Sequence, residues 1–297
     1  MSARELTYAV VTPVRNEAAN IRRIADALAG QERLTVAWVV VDTGSTDETH
    51  EIVAELAQSH PWIVTATLEG AQDLARGGPI ARAFELGYSG LADKPDVIVK
   101  LDADTSFEPG YFTRLLAEFA ADPQLGMASG TCHELEDGEW RERHVTGSTV
   151  WGASRCYRRE CLADVLPLEQ RMGWDGVDEF RANARGWKTR TFKDLPFHHH
   201  RREGERDGAK HLARLAQGRA ARYIGYRFWY LALRALWHAR KEPAALAMIW
   251  GYLKAALKRE PRLADPDARA YLRRQQSIRL LPSRAAEAIG RRRRIAA

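Results

Sequence analysis

The chain of 297 residues is 45% hydrophobic and carries a formal net charge of +6, a composition that suits a folded protein with a large core. No stretch provides about 18 uncharged apolar residues and the N-terminus has no apolar signal region, so we expect a cytoplasmic protein that does not span a membrane. Cys132, Cys156 and Cys161 lack metal-ligand spacing and are typical of free thiols in a reducing compartment.

Charge is unevenly distributed along the chain. Residues 201–297 contain 24 Lys and Arg against 8 Asp and Glu, a balance of +16. Subtracting these from the totals of 45 and 39 leaves 21 against 31 for residues 1–200, a balance of −10. The sequence therefore predicts an acidic body followed by a basic extension.

The first hundred residues alternate between strand and helix patterns. Apolar strands are predicted at 7–12, which Pro13 would end, and at 35–41, 61–67 and 97–101. Between them lie a helix with Ile21, Ile24, Ala25 and Leu28 on one face and Gly30 at its end, a helix after residue 48, and a helix at 79–91. This alternation indicates an α/β fold with a doubly wound, mainly parallel sheet flanked by helices.

Two polar loops follow the first two strands. Residues 12–17 read Thr-Pro-Val-Arg-Asn-Glu and residues 42–47 read Asp-Thr-Gly-Ser-Thr-Asp, and Ser45 has capping-box spacing to Glu48. Both loops leave strand C-termini, so we expect them to face one ligand crevice. Helix capping alone is the alternative. A third loop, Arg76-Gly77-Gly78-Pro79 followed by Arg82, has basic residues that would suit phosphates.

Two acidic residues end the strand at 97–101. If the strand persists, Asp102 and Asp104 project to the same side, because side chains alternate with a period of two. Two carboxylates at a strand C-terminus suit a divalent cation such as Mg²⁺ or Mn²⁺. The alternative is a solvated turn.

Together these motifs resemble family 2 glycosyltransferases of the GT-A fold, over roughly residues 6–200. The resemblance implies a nucleoside-diphosphate sugar donor. By position, Pro13, Arg15, Glu17 and Asp42 would contact its base and ribose, while Asp102 and Asp104 would meet the ribose and the metal-bound diphosphate. Thr43 stands where many members have an acid, so the base stays open: a UDP-sugar is expected, with GDP- and dTDP-sugars as alternatives.

A later segment, 173–181, resembles the acidic catalytic segment of the family, in which an Asp precedes a helix that ends eleven residues later at Gly. Counting back from Gly186 gives Asp175 as the general base, although Trp174 replaces the usual Glu; Asp178 and Glu179 are the reserve candidates. A helix N-cap is the other interpretation of Asp175.

Three consecutive histidines, His198, His199 and His200, follow a predicted strand at 188–192. His199 or His200 would supply a third metal ligand; a solvated loop is the alternative. Arg201, Arg202 and Arg206 would neutralise a diphosphate or attract an anionic acceptor.

The basic extension is rich in aromatic residues. Residues 219–237 interleave Arg with Tyr, Phe and Trp, residues 243–253 are uncharged and include Trp250 and Tyr252, and four arginines occupy 291–294. Such helices suit an anionic membrane interface. Packing on the sheet domain is the alternative, and no nucleic-acid-binding motif is present.

We therefore predict a metal-dependent hexosyltransferase or related glycosyltransferase, of inverting mechanism, that acts on a saccharide or polyprenyl-linked hydroxyl in cell-surface polysaccharide or glycolipid assembly. Residues 1–208 would form the catalytic domain, with a donor half at about 1–104 and an acceptor half at about 105–208, and 209–297 a helical extension peripheral to the inner face of the cell membrane. The alternatives are a retaining GT-A enzyme and a non-catalytic nucleotide- or sugar-binding module. A sugar-nucleotide pyrophosphorylase would need a glycine-rich loop in place of 12–17.

Overall fold

The computed structural model describes residues 5–75, 77–91, 94–136, 138–143, 149–201 and 210–288. Within them nine strands form one sheet: β1 (Tyr8–Val14), β2 (Trp38–Asp42), β3 (Ile63–Thr67), β4 (Val97–Leu101), β5 (Thr105–Phe107), β6 (Leu125–Glu136), β7 (Glu139–Glu142), β8 (Ser154–Arg158) and β9 (Lys188–His199). The helices of these residues are α1 (Ala18–Ala29), α2 (Thr49–Ser59), α3 (Gly78–Ser89), α4 (Tyr111–Ala121), α5 (Arg159–Val165), α6 (Trp174–Ala184), α7 (Lys210–Ile224), α8 (Phe228–Ala239), α9 (Ala247–Leu257), α10 (Pro266–Gln275) and α11 (Leu281–Ala288).

The strand order is β3-β2-β1-β4-β8-β6-β9-β5, and β7 pairs with β6. Strands β1 to β4 are parallel to one another, as predicted, whereas β8 runs antiparallel between β4 and β6. Successive residues of β1 enter different cores: Val10 packs in the cluster on one face and Val11 in the cluster on the other. Both faces are therefore covered, which explains the near-continuous apolar runs of these strands.

Pro13 does not end β1, contrary to the prediction. The Val10 N–H donates towards β2, to the Ala37 carbonyl, so the nitrogen of Pro13 faces the β4 side. Pairing of β1 with β4 stops at Val11, and no ladder hydrogen bond is lost where proline lacks its donor.

The capping box between Ser45 and Glu48 is also wrong. Helix α2 begins at Thr49, whose N–H donates to Asp47 Oδ1 over 3.1 Å, while the Ser45 hydroxyl donates to Asp42. By contrast, α1 buries the four predicted apolar residues and ends at Gly30.

Strand β9 is longer than predicted, so that His198 and His199 lie within the strand. It continues from Lys188 to His199, where Thr105 and Ser106 of β5 pair with His199 and His198. The solvated-loop interpretation is therefore wrong for these two residues.

The C-terminal helices pack against α6. Val177 of α6 is buried with Ile224 of α7, with Leu272 of α10 and with Leu263, which precedes α10. Arg181 of α6 also lies 3.3 Å from Asp265, which caps α10. This part of the extension therefore packs on the sheet domain. The boundary predicted near 208 lies within 202–209, outside the described residues.

Helices α7 and α9 make backbone contact through glycines. A Cβ atom at Gly218 would lie 1.9 Å from the Met248 carbonyl oxygen, and one at Gly251 would lie 2.0 Å from that of Leu215. Any larger residue would push the two helices apart. Among the described helices, none combines the length and the apolar character needed to cross a bilayer.

Candidate active site

A cleft opens at the carboxyl ends of β1 and β4. Its lining includes the predicted residues Pro13, Arg15, Glu17, Asp102 and Asp104, together with Thr43, Ile80 and Arg201. Asp42 lies directly before Thr43 at the end of β2. The position is the one expected for ligands in an open α/β sheet, outside the strand ends.

Asn16 links the loop after β1 to the loop after β2. Its N–H donates to Ser45 Oγ over 3.0 Å, and its Oδ1 accepts the Thr46 N–H over 2.7 Å. Its φ of 55° lies in the left-handed region, which asparagine enters more readily than most residues. The next residue, Glu17, donates its N–H to Thr49 Oγ1. The two loops therefore support each other, so their polar residues do more than cap the helices that follow.

Asp42 and Thr43 fold the second loop. Asp42 Oδ1 accepts the Gly44 N–H, the Ser45 N–H and the Ser45 hydroxyl, at 2.8 to 3.0 Å. The N–H and hydroxyl of Thr43 both donate to the Val14 carbonyl oxygen, at 2.9 and 3.0 Å. The residue that departs from the family pattern thus ties the ends of β1 and β2 together.

Asp102 and Asp104 of the cleft lining converge with His199, with one ligand atom of each within 4.8 Å of the others. Strand β4 ends at Leu101, so a turn and not a persisting strand brings the carboxylates together. His199 Nε2 lies 3.2 Å from Asp104 Oδ1. Burial raises the pKa of Asp104, but the His199 hydrogen bond and the Arg201 charge outweigh it and hold the pKa below its usual value.

His199 presents its second nitrogen to another acid. Nδ1 lies 3.7 Å from Oε1 of Glu134, and Cys132, Glu134 and His199 also fall within 4.8 Å of one another. Burial lowers the pKa of His199, yet the carboxylates around it raise that pKa above its usual value. The ring of His200 contacts Ser106 Oγ instead, at 2.7 Å, so of the two predicted histidines the fold brings His199 to the carboxylates.

Arg201 bridges two acids of the cleft. Its guanidinium donates to both oxygens of Glu17, at 3.0 and 2.9 Å, and lies 3.3 Å from Asp104 Oδ2. Glu17 is buried, so the bidentate pair compensates a charge that water cannot reach easily. The predicted Arg76, Arg202 and Arg206 lie outside the described residues. Arg82 is paired with Glu85 at 3.7 Å and is not among the residues that line the cleft.

Lys100 connects Asp102 to the segment that faces Asp175. Its buried ammonium donates to Asp102 Oδ1 and, over 2.9 Å, to the Gly152 carbonyl oxygen. A Cβ atom at Gly152 would lie 3.4 Å from Asp175 Oδ2. Asp175 is half-buried in the first turn of α6; the N-cap position belongs to Gly173, so the N-cap interpretation of Asp175 is wrong.

The reserve candidates Asp178 and Glu179 lie deeper, around Arg155. Arg155 donates to Asp178 Oδ1 over 3.0 Å and lies 3.8 Å from Glu179, and all three side chains are buried. Tyr157 donates to Asp178 over 2.5 Å. Burial raises the pKa of Asp178 to about 6 and that of Glu179 to about 8, although Arg155 opposes both shifts. These acids fasten α6 to β8.

Comparison with known proteins identifies relatives of part of the chain. A family model described as Glycosyl transferase family 2 matches residues 9–163, just over half of the chain. An uncharacterized glycosyltransferase from Nostoc is 22% identical over 187 residues, which cover 55% of this chain and 54% of that protein. The chain thus spans about half the length of this relative.

Solved structures resemble more of the chain. A mannosyltransferase from Pyrobaculum calidifontis in complex with GDP-Man and Mn²⁺ has a TM-score of 0.55 at 18% identity, covering 97% of this chain and 80% of that one. GalNAc-T7 with UDP, GalNAc and Mn²⁺ has a TM-score of 0.63 at 14% identity, covering 96% and 57%. At these identities the likeness shows a shared fold.

Proposed function

The chain belongs to glycosyl transferase family 2, and from this premise we propose that it transfers a sugar from a nucleoside-diphosphate sugar to a hydroxyl acceptor. Its fold is the predicted GT-A fold. The observation that carries the proposal is the convergence of Asp102, Asp104 and His199 at a cleft that the loops after β1 and β2 also line. The cluster offers oxygen and nitrogen ligands for a metal ion next to a cleft that could receive a nucleotide sugar.

The donor side consists of residues from three strand ends. Pro13 and Arg15 line the cleft beside Asp102, and Asp42 supports the loop that borders it. We assign base and ribose contacts to Pro13, Arg15 and Asp42, with the ribose reaching Asp102. Glu17, by contrast, holds Arg201, so we assign it the positioning of that guanidinium towards the diphosphate.

The acidic cluster fits Mn²⁺ or Mg²⁺. Two carboxylates and an imidazole suit Mn²⁺. Asp104, Asp102 and His199 would hold the ion. A bound divalent ion would stabilise the negative charge that develops on the departing diphosphate. The Mn²⁺ in the two similar structures supports this choice.

Asp175 is the proposed general base. Its carboxylate would accept the proton of the acceptor hydroxyl while that oxygen bonds to the anomeric carbon and the bond from this carbon to the diphosphate oxygen breaks. One such displacement inverts the configuration. Asp178 and Glu179 are less suited to this role, because both carboxylates are buried and lie beside the Arg155 guanidinium. A retaining transfer is the second candidate, and a non-catalytic binding module would leave Asp175 without a role.

For the acceptor we propose a saccharide or polyprenyl-linked hydroxyl in cell-surface polysaccharide or glycolipid assembly. The supporting observation is the +16 balance of residues 201–297, which favours a place at the anionic inner face of the cell membrane. The cluster at 291–294 that contributes to this charge lies outside the described residues.

Thermal shift with UDP-, GDP- and dTDP-sugars, with and without Mn²⁺, tests the donor proposal. A binding nucleotide sugar should raise the melting temperature only with Mn²⁺, since ligands of the folded state stabilise it. Asp104→Ala should remove the Mn²⁺-dependent part of the shift, whereas Asp26→Ala, on the exposed side of α1, should keep it. Equal shifts for both variants would exclude Asp104 from the site.

A further inference from the structure

Helix α9 and the turn before it carry an apolar stripe that no described part of the chain covers. Leu246, Trp250, Leu253 and Leu257 are 46%, 58%, 37% and 79% exposed. Their spacing of four, three and four residues places them on one side of a helix. Small or apolar residues on the opposite side, Met248, Gly251 and Ala255, are buried. The stripe is therefore not needed for the packing of α9.

Helix α8 repeats this arrangement beside α9. It buries Leu231 and Ala235 and leaves Leu233, Leu236 and Trp237 exposed. The ring of Phe228 packs 5.5 Å from that of Tyr252, so the two helices form one unit. Exposed apolar side chains that are grouped on neighbouring helices in this way are typical of a contact with another molecule or a membrane.

The charge around the stripe decides between possible partners. Residues 210–259 contain 11 Lys and Arg against one acid, Glu242, a balance of +10. Lys254 and Lys258 follow stripe residues directly, and with Arg219 they line a groove of about 150 Å³ between α7 and α9. Glu260 pairs with Arg219 at 2.6 Å. A second copy of the chain would bring like charges together, whereas an anionic surface would be attracted.

We infer that α8 and α9 dock on an anionic lipid bilayer. Trp250, Leu253 and Leu257 enter the boundary between headgroups and acyl chains, and Lys254 and Lys258 contact the lipid phosphates, with their apolar stems beside the stripe. This inference names the docking face and does not depend on the proposed sugar transfer.

Co-sedimentation of the full chain with vesicles tests the inference. The protein should pellet with equimolar phosphatidylcholine and phosphatidylglycerol at low salt, less so as salt screens the charges, and not with phosphatidylcholine alone. Trp250→Ser with Leu253→Ser should weaken partitioning by about tenfold or more, because apolar area no longer leaves water. Lys254→Glu with Lys258→Glu should weaken it by a similar factor.

Ile278→Ser is the matched control, since Ile278 is 74% exposed in the same extension but not part of the stripe. It should partition like the unaltered chain. All these residues are exposed, so circular dichroism should show every variant folded. Equal partitioning of the stripe variants and the control would overturn the inference. A second set of results would also overturn it: no binding to any vesicle, a dimer by analytical ultracentrifugation, and a monomer after the stripe substitutions. These results would assign the face to a second copy of the chain. The rise in melting temperature caused by a nucleotide sugar should be the same in these variants as in the unaltered chain, so this test is separate from that of the proposed function.

Discussion

The cleft region and the surface of α8 and α9 differ in how charge is arranged. Around the cleft each buried charge lies beside an opposite one: Glu17 with Arg201, Asp102 with Lys100, and Asp178 with Arg155. On α8 and α9 basic residues outnumber acids, and leucine and tryptophan are exposed. Because an uncompensated buried charge is costly, the first arrangement can hold side chains in place within the monomer. The exposed side chains of the second arrangement are not explained by packing within the described residues, so we assign them to the proposed contact with a bilayer.

Arg155→Leu should have the largest effect on stability. It leaves Asp178 and Glu179 buried without their guanidinium, and breaking a buried pair in this way costs about 3–5 kcal/mol. Urea denaturation measures the loss. The matched control is Arg114→Leu, which removes an exposed pair with Asp194 and should cost no more than about 1 kcal/mol. Similar losses would mean that the buried network is not what fastens α6.

Asp175→Asn should have the next largest effect, on rate and not on stability. Without a proton acceptor, sugar transfer should fall by on the order of 10² or more, while the thermal shift with the donor and Mn²⁺ is kept. Asp26→Asn serves as the control. Transfer at the original rate in Asp175→Asn would contradict the assignment and support the non-catalytic alternative or another base.

Glu179→Gln tests through the pH dependence of stability whether the buried network around Arg155 perturbs its acids. The pKa of Glu179 is raised from 4.5 to about 8, so the folded state binds more protons than the unfolded state between these values, and stability falls as pH rises through this window. The free energy of unfolding of the unaltered chain, relative to that of Glu179→Gln, should therefore drop by about 2.5 kcal/mol between pH 5 and 7. Parallel curves for the two proteins would show that Glu179 titrates normally.

Leu257→Ser should have the smallest effect. Its side chain is 79% exposed, so the free energy of unfolding should change by no more than about 0.5 kcal/mol. On the same helix, Gly251→Ala should destabilise clearly, because its Cβ would lie 2.0 Å from the Leu215 carbonyl oxygen. A large loss for Leu257→Ser would show that the stripe is covered within the protein, which would remove the contrast between the two regions.

Much of the fold followed from local patterns. The four residues on the buried face of α1 and the apolar strands β1, β2 and β4 reflect preferences that act within a few residues. The predictions that were wrong concern ends of elements. Pro13, the capping box at Ser45 and the end of β9 depend on a neighbouring strand or loop, which short-range periodicity does not encode.

The clustering of carboxylates at the strand ends could be predicted from local motifs, because motifs after parallel strands share one edge of the sheet. The groups that surround these carboxylates depend on how the chain folds in three dimensions. Arg201 reaches Glu17 across 184 positions of sequence, and Lys100 reaches Gly152 across 52. The fold also places His199 rather than His200 at Asp104, and it leaves Asp175 outside the network that buries Asp178 and Glu179. Such contacts arise from strand order and side-chain direction in three dimensions, and no spacing along the chain specifies them.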